Sequence, residues 1–169
     1  YHEVTYNLEP NLKESPGGLR DLQNILWISR AAGYGKSWSD LVKRGFITRE
    51  EARLTKRNEK ILQGLRIRLH YLAGRREDRL LFDFQTLLAK EYKIADKSPR
   101  LAGEILMQRY YRAAKFVAQI NTILLLTLRT EISPYVNVTP VILNKYFQKR
   151  NELLEVRDEC IFRKEPSVI

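Results

Sequence analysis

The string Pro16-Gly17-Gly18-Leu19-Arg20-Asp21 gathers the groups in this chain best suited to handling an anion. Two glycines at the mouth of a helix let the backbone approach a partner closely and leave N–H groups free to donate. Arg20 adds a planar cation that matches phosphate, Asp21 a carboxylate within the same turn, and Lys13 an ammonium just upstream. A second chemistry fits the same residues: Arg20 and Asp21 as structural ion pairs that tie a leading strand to a helical body. On the sequence alone both readings stand.

Other strings that suggest chemistry carry less. Gly33-Tyr34-Gly35-Lys36-Ser37 resembles the end of a phosphate-binding loop, but the glycine required five positions before Gly35 is Arg30. That motif also follows a strand, whereas a helix precedes this one, so the segment reads as a helix-to-helix turn. His2 and His70 are the only histidines and Cys160 the only cysteine, which excludes a His-rich metal site and an internal disulfide framework. His70, beside an apolar stripe, is expected to be a packed, hydrogen-bonded core histidine ahead of a functional one, and Cys160 a small buried hydrophobe. Metal-assisted nucleotidyl transfer calls for two carboxylates one residue apart on a strand. No Asp-x-Asp or Asp-x-Glu occurs anywhere in the chain.

The elements that must position these residues are mostly helices. Alternation at Val4, Tyr6 and Leu8 predicts a short strand over 4–12, which Pro10 confines to an edge. Ser15-Pro16-Gly17-Gly18 is a turn, followed by a helix from Leu19 to about Ala32 with Asp21 near the positive end of its dipole. A short helix is expected over Ser39 to Arg44. Thr48 and Glu51 then form a capping box for a long helix ending at Gly74, its stripe built from Leu54, Ile61, Leu62, Leu65, Leu69 and Leu72. Asp83 is expected to cap a further helix through Tyr92. Ser98-Pro99 starts another that runs to Pro134 along Leu101, Ile105, Leu106, Tyr110, Ala113 and Val117. The prediction is therefore a mainly α fold: a helical bundle built on two long antiparallel helices, with a short N-terminal extended segment. Tyr146 to Lys149 and Leu153 to Val156, flanking Arg150-Asn151-Glu152, suit a small hairpin near the C-terminus or a bent connection.

Composition agrees with one helical domain: 169 residues, 44% hydrophobic, 30% charged, with only 8 Gly and 6 Pro. No apolar window is long enough to span a bilayer, and cysteine usage fits a reducing compartment, so a soluble cytoplasmic protein without a membrane partner is expected. The net charge of +10 favours phosphates, nucleic acid or acidic protein surfaces. Its spread along the whole chain equally suits solvated helix faces, and no motif for specific nucleic-acid recognition is present. The start at Tyr1 and the Pro166-Ser167-Val168-Ile169 end predict a piece of something longer.

Several strings, taken in order, resemble the bacterial PII uridylyltransferase/uridylyl-removing family. They are Tyr6 to Lys13, Pro16 to Asp21, Arg66 to His70, Asp78 to Gln85 and Leu154 to Glu159. A shortened form of the glycine string is also similar to glutamine synthetase adenylyltransferase, the nearest competitor. The resemblance implies an enzyme that moves UMP from UTP onto a tyrosine of the signalling protein PII when glutamine is low and hydrolyses it off when glutamine is high. It implies a nucleotidyltransferase core, a helical domain, a metal-dependent HD hydrolase domain and two glutamine-sensing ACT domains, with Mg2+ and UTP used by the longer enzyme. Residues 1–18 would then lead in from the transferase core, 19–134 form the helical domain, and 135–169 connect toward the HD domain. Both histidines are followed by residues other than Asp, Glu3 and Tyr71, so neither activity is complete here and no catalytic or metal-binding residue is expected. By that analogy Lys13, Gly17, Gly18, Arg20 and Asp21 face the nucleotide or the core. Arg79, Asp83 and Gln85 form a weaker patch that holds elements in register. The alternative is a non-catalytic basic domain that docks an acidic protein.

Overall fold

The structure, a computed structural model, describes residues 8–94, 99–132, 140–144, 146–150 and 153–156. Five helices come first: α1 (Leu19–Ala31), α2 (Trp38–Lys43), α3 (Arg49–Ala73), α4 (Phe82–Glu91) and α5 (Pro99–Ile132). Three short strands follow, β1 (Val141–Ile142), β2 (Phe147–Arg150) and β3 (Leu153–Val156). The chain is thus mainly α with a small antiparallel hairpin near its C-terminus, as expected. It divides into two compact units between Leu128 and Arg129.

In the first unit α3 is the hub, packing against α1, α2 and α4. Its ends follow from local chemistry. Thr48 accepts from the Glu51 amide while the Glu51 carboxylate accepts from the Thr48 amide, and Gly74 closes the helix in the left-handed conformation. The core joins Leu22 and Ile25 of α1, Leu62, Leu65 and Leu69 of α3, Leu88 of α4, and Leu106, Tyr110, Val117 and Leu124 of α5. Each leucine so buried stabilises the fold by about 1.5–3 kcal/mol before chain entropy is counted. None of the helices among the described residues is long and apolar enough to cross a membrane.

Three local expectations are corrected. The short helix starts at Trp38 and not Ser39, because Ser37 caps it in a box with Asp40. Asp83 does not cap α4. Leu81 holds the cap position without a side-chain bond, and the Phe82 amide donates 3.1 Å to the Glu9 carboxylate of the lead-in. The cap is supplied from a distant part of the chain, which no local pattern announces. Of the predicted strand over 4–12, Val4 and Tyr6 lie outside the described residues, and the described part makes a single antiparallel bridge, Asn11 to Arg79. Ser98, Pro134 and Cys160 also lie outside the described residues.

In the second unit β2 and β3 pair antiparallel with Arg150 opposite Leu153 and Phe147 opposite Val156. β1 adds a third strand, with Val141 opposite Lys149. The two residues of β1 are exposed and too few to show alternation, so the sequence carried no signal for this strand.

Candidate functional site

The candidate corner begins at Asn11. Its side-chain oxygen accepts from the Lys13 and Glu14 amides, and its own amide donates to the Ser15 hydroxyl. That closes a tight turn and delivers Pro16 to Gly18 against the body. Gly17 has φ +78°, and a Cβ there would lie 2.0 Å from the Ala114 carbonyl oxygen of α5. A Cβ on Gly18 would meet the Lys13 and Ser15 carbonyls at 2.7 Å. Both glycines are therefore required by close backbone packing, and both are buried.

The N–H groups expected to stand free are all donated internally. Gly17 donates 2.7 Å to Asp21 Oδ2, Gly18 to the Ser15 carbonyl, Leu19 to Leu12, Arg20 to Lys13 and Asp21 to Gly18. The opening turn of α1 thus has no spare backbone donor for an outside anion. Asp21 occupies that position itself, and burial is the largest influence on its carboxyl, raising its pKa above the ordinary 3.8 against the bond from Gly17.

Only the two cationic side chains of the corner turn outward. Arg20 pairs with both Glu14 oxygens, at 2.9 and 3.3 Å, and its guanidinium lies 5.5 Å from the centre of the exposed Trp27 ring. Lys13 Nζ stands 3.5 Å from Glu14. The bond from Arg20 is the largest influence on Glu14 and lowers its pKa. Arg20 keeps a third of its side-chain surface exposed and Lys13 somewhat less. So Arg20 makes the structural ion pair from α1 back to the lead-in turn, whereas Asp21 holds the Gly17 amide and no cation among the described residues.

The second predicted patch comes together in part. Arg79 Nε donates to the Glu9 carbonyl, and Gln85 Nε2 donates to the carbonyls of Leu8 and Leu80 at 2.9 and 2.8 Å. With Leu80 N–H on Pro10 and Leu12 N–H on Asp78, these bonds lock the lead-in to the segment before α4. Asp83 stands exposed in the first turn of α4, apart from this clamp.

The sequence reading missed Asp78 as the clamp's anchor. Arg66 and His70, one turn apart on α3, both reach Asp78 Oδ1, His70 Nε2 at 3.1 Å. Desolvation, the largest influence, would raise the Asp78 pKa; the bonds from Arg66 and His70 outweigh it and leave the pKa lowered. His70 is hydrogen-bonded as expected, but it is half-buried at the edge of the bundle and not in its core. The available signal was the four-residue spacing of Arg66 and His70, which places them on one helix face.

The loop that imitates a phosphate site is explained the same way as the corner. Asp40 Oδ2 accepts from the Lys36 amide at 3.0 Å, the Ser37 amide at 3.1 Å and the Ser37 hydroxyl at 2.8 Å. A carboxylate of the chain sits where a phosphate would.

Among the described residues no three His, Cys, Asp or Glu side chains gather closely enough to hold a metal ion, and these residues do not fit a Mg2+ centre. Fold and corner together define a helical module with a clamped lead-in. The chain belongs to the GlnD PII-uridylyltransferase family, whose profile matches residues 1–125. A bifunctional uridylyltransferase/uridylyl-removing enzyme of Nitrosospira multiformis is 64% identical over 169 residues, covering 100% of this chain and 19% of the relative. Proteins of the same name from Aromatoleum aromaticum and Chromobacterium violaceum are 50% and 52% identical, over 100% and 98% of this chain and 20% and 19% of their own lengths. The chain therefore spans about a fifth of the length of these relatives. No solved structure matches it significantly.

Proposed function

We propose that this chain is the helical domain of a bifunctional enzyme that transfers UMP from UTP to PII and hydrolyses it off again, in the cytoplasm and under glutamine control. The family match over residues 1–125 carries this reading. Mg2+ and UTP would be held mainly by a nucleotidyltransferase core outside this chain, and an HD domain would supply the hydrolysis. In this reading α3 and α5 run as antiparallel rods that brace the lead-in, supported by the residues both contribute to one groove.

The role of the glycine corner follows from what it has left to offer. Its backbone donors are used and its carboxylate is turned inward, so contact with nucleotide or core falls to Lys13 and Arg20. Glu14 holds Arg20 in place, and a nucleotide phosphate competing for that guanidinium would gain the planar, two-pronged geometry that arginine supplies.

The test is Arg20→Ala in the full-length enzyme, with Arg20→Lys beside it. Alanine should raise the KM for UTP or lower the uridylylation rate by about tenfold, the effect of losing one charge-assisted bond, with lysine intermediate. Unchanged kinetics in a variant of unchanged melting temperature would remove Arg20 from the cleft.

A second reading, a basic surface that docks an acidic protein, is favoured by a separate observation, namely exposed cations of α3 and α5 that have no carboxylate partner among the described residues.

A further inference from the structure

Between α3 and α5 runs an open groove of about 1180 Å³. Arg53, Lys56, Arg57, Lys60 and Arg68 edge it from α3, Arg109 and Arg112 from α5, and no Asp or Glu is among its lining residues. Along α3 these cations recur at spacings of three, one, three and eight, a stripe about 22 Å long at 1.5 Å per residue. Two of the seven are engaged. Arg53 pairs with Glu50, and Arg68 lies on the Tyr92 ring and donates to its hydroxyl. Lys56, Arg57, Lys60, Arg109 and Arg112 are exposed and have no carboxylate partner among the described residues.

The floor is of a different kind. Leu65, Leu106 and Ala113 are buried there, with Ile61 and Phe116 partly buried beside them. A narrow apolar floor between two cationic walls matches the helix-in-groove mode of recognition, in which apolar side chains at helical spacing anchor a segment and flanking charges orient it. We propose that this groove binds an acidic amphipathic helix of a separate protein.

Three features select that occupant. The length and openness of the stripe exceed what a single phosphate or nucleotide fills. Phe116 in the floor is partly buried and Tyr92 is already covered by Arg68, so neither ring stands open as a platform for stacking nucleic-acid bases. Walls in which five of the seven cations lack a carboxylate partner among the described residues, around a small apolar strip, are the anatomy of an interface that forms and dissolves. The charge also steers an acidic partner to the groove and rejects basic ones. This inference does not depend on the role given to Lys13 and Arg20.

The experiment measures fluorescence anisotropy of a labelled peptide of about 18 residues, with Leu at helical spacing and Glu on the remaining face, mixed with the chain at roughly 0.15 M salt. Its probes are that peptide, an isomer of equal charge with the leucines scrambled, and a single-stranded oligonucleotide of equal charge. Lys60→Glu/Arg112→Glu reverses the groove; Arg30→Glu/Arg76→Glu makes the same net-charge change on exposed positions elsewhere. The expected result is loss of peptide affinity by about tenfold or more in the groove variant, with under about threefold loss in the other and weaker binding of the scrambled isomer. Lys60→Gln/Arg112→Gln, which adds no repulsion, should give an intermediate loss, and circular dichroism checks the fold of each variant. The proposal is overturned by no binding, by equal losses from both reversals, by equal binding of the scrambled isomer, or by an oligonucleotide that binds more tightly and displaces the peptide.

Discussion

Two glycine-bearing turns of this chain imitate anion sites, and each turns out to hold a carboxylate of its own. At the first, Asp21 accepts the Gly17 amide; at the second, Asp40 accepts the Lys36 and Ser37 amides. Their surroundings differ. Gly17 is pressed against the backbone of α5, far away in sequence, whereas Gly33, in the second turn, has φ +75° and no atom within 4 Å of where a Cβ would sit. Both carboxylates are partly buried, but desolvation is the leading influence at Asp21 and hydrogen bonding at Asp40. The same local motif therefore serves a tertiary joint in one place and a helix cap in the other. What decides its role is the neighbour, not the string.

The largest expected effect breaks that contrast at the glycines. Gly17→Ala places a methyl into the Ala114 carbonyl as well as forcing a left-handed φ, and should cost about 3–5 kcal/mol or prevent folding. Gly33→Ala meets only the backbone penalty, about 1–2 kcal/mol. Urea unfolding of the two variants measures both, and equal costs would mean that Gly17 is not seated under α5.

A smaller effect separates the two carboxylates by sign. The Asp40 pKa is lowered, chiefly by the bond from the Lys36 amide and then by that from the Ser37 hydroxyl. Its contribution to stability is therefore present above the ordinary value of 3.8 and lost as pH falls through the lower folded value. The Asp21 pKa is raised, so its contribution is present below 3.8 and lost as pH rises through the higher folded value. Asp40→Asn should lower the melting temperature at neutral pH and flatten its fall in acid, while Asp21→Asn should be neutral or slightly stabilising at pH 7. Melting curves from pH 3 to 7 distinguish these, and the same sign for both variants would contradict that difference in leading influence.

Much of the helical frame was legible because its signals are local. Thr48 with Glu51, the apolar series from Leu54 to Leu72 and Gly74 marked α3 almost to the residue, and Pro99 marked the first described turn of α5. The site was less legible because its determinants lie far apart in sequence. Glu9 capping α4, Asp78 clamped by Arg66 and His70, and Gly17 beneath Ala114 each join distant segments. The cations from Lys56 to Lys60 read as a solvated helix face until Arg109 and Arg112 appear across from them. Arg20 and Asp21, singled out by their place after the glycines, each hold a group of the lead-in turn. Their partners, Glu14 and the Gly17 amide, show why the string is tight.

The central physical claim is that both turns are already filled by the chain's own carboxylates. It is tested most directly by following the backbone amide resonances of 15N-labelled protein during titration with Mg-UTP and then with inorganic phosphate. The account predicts that the Gly17, Gly18, Lys36 and Ser37 amides stay in place, with any shifts confined to cationic side chains such as those of Lys13 and Arg20. Saturable movement of those four amides would show that an outside anion displaces Asp21 or Asp40, and would contradict it.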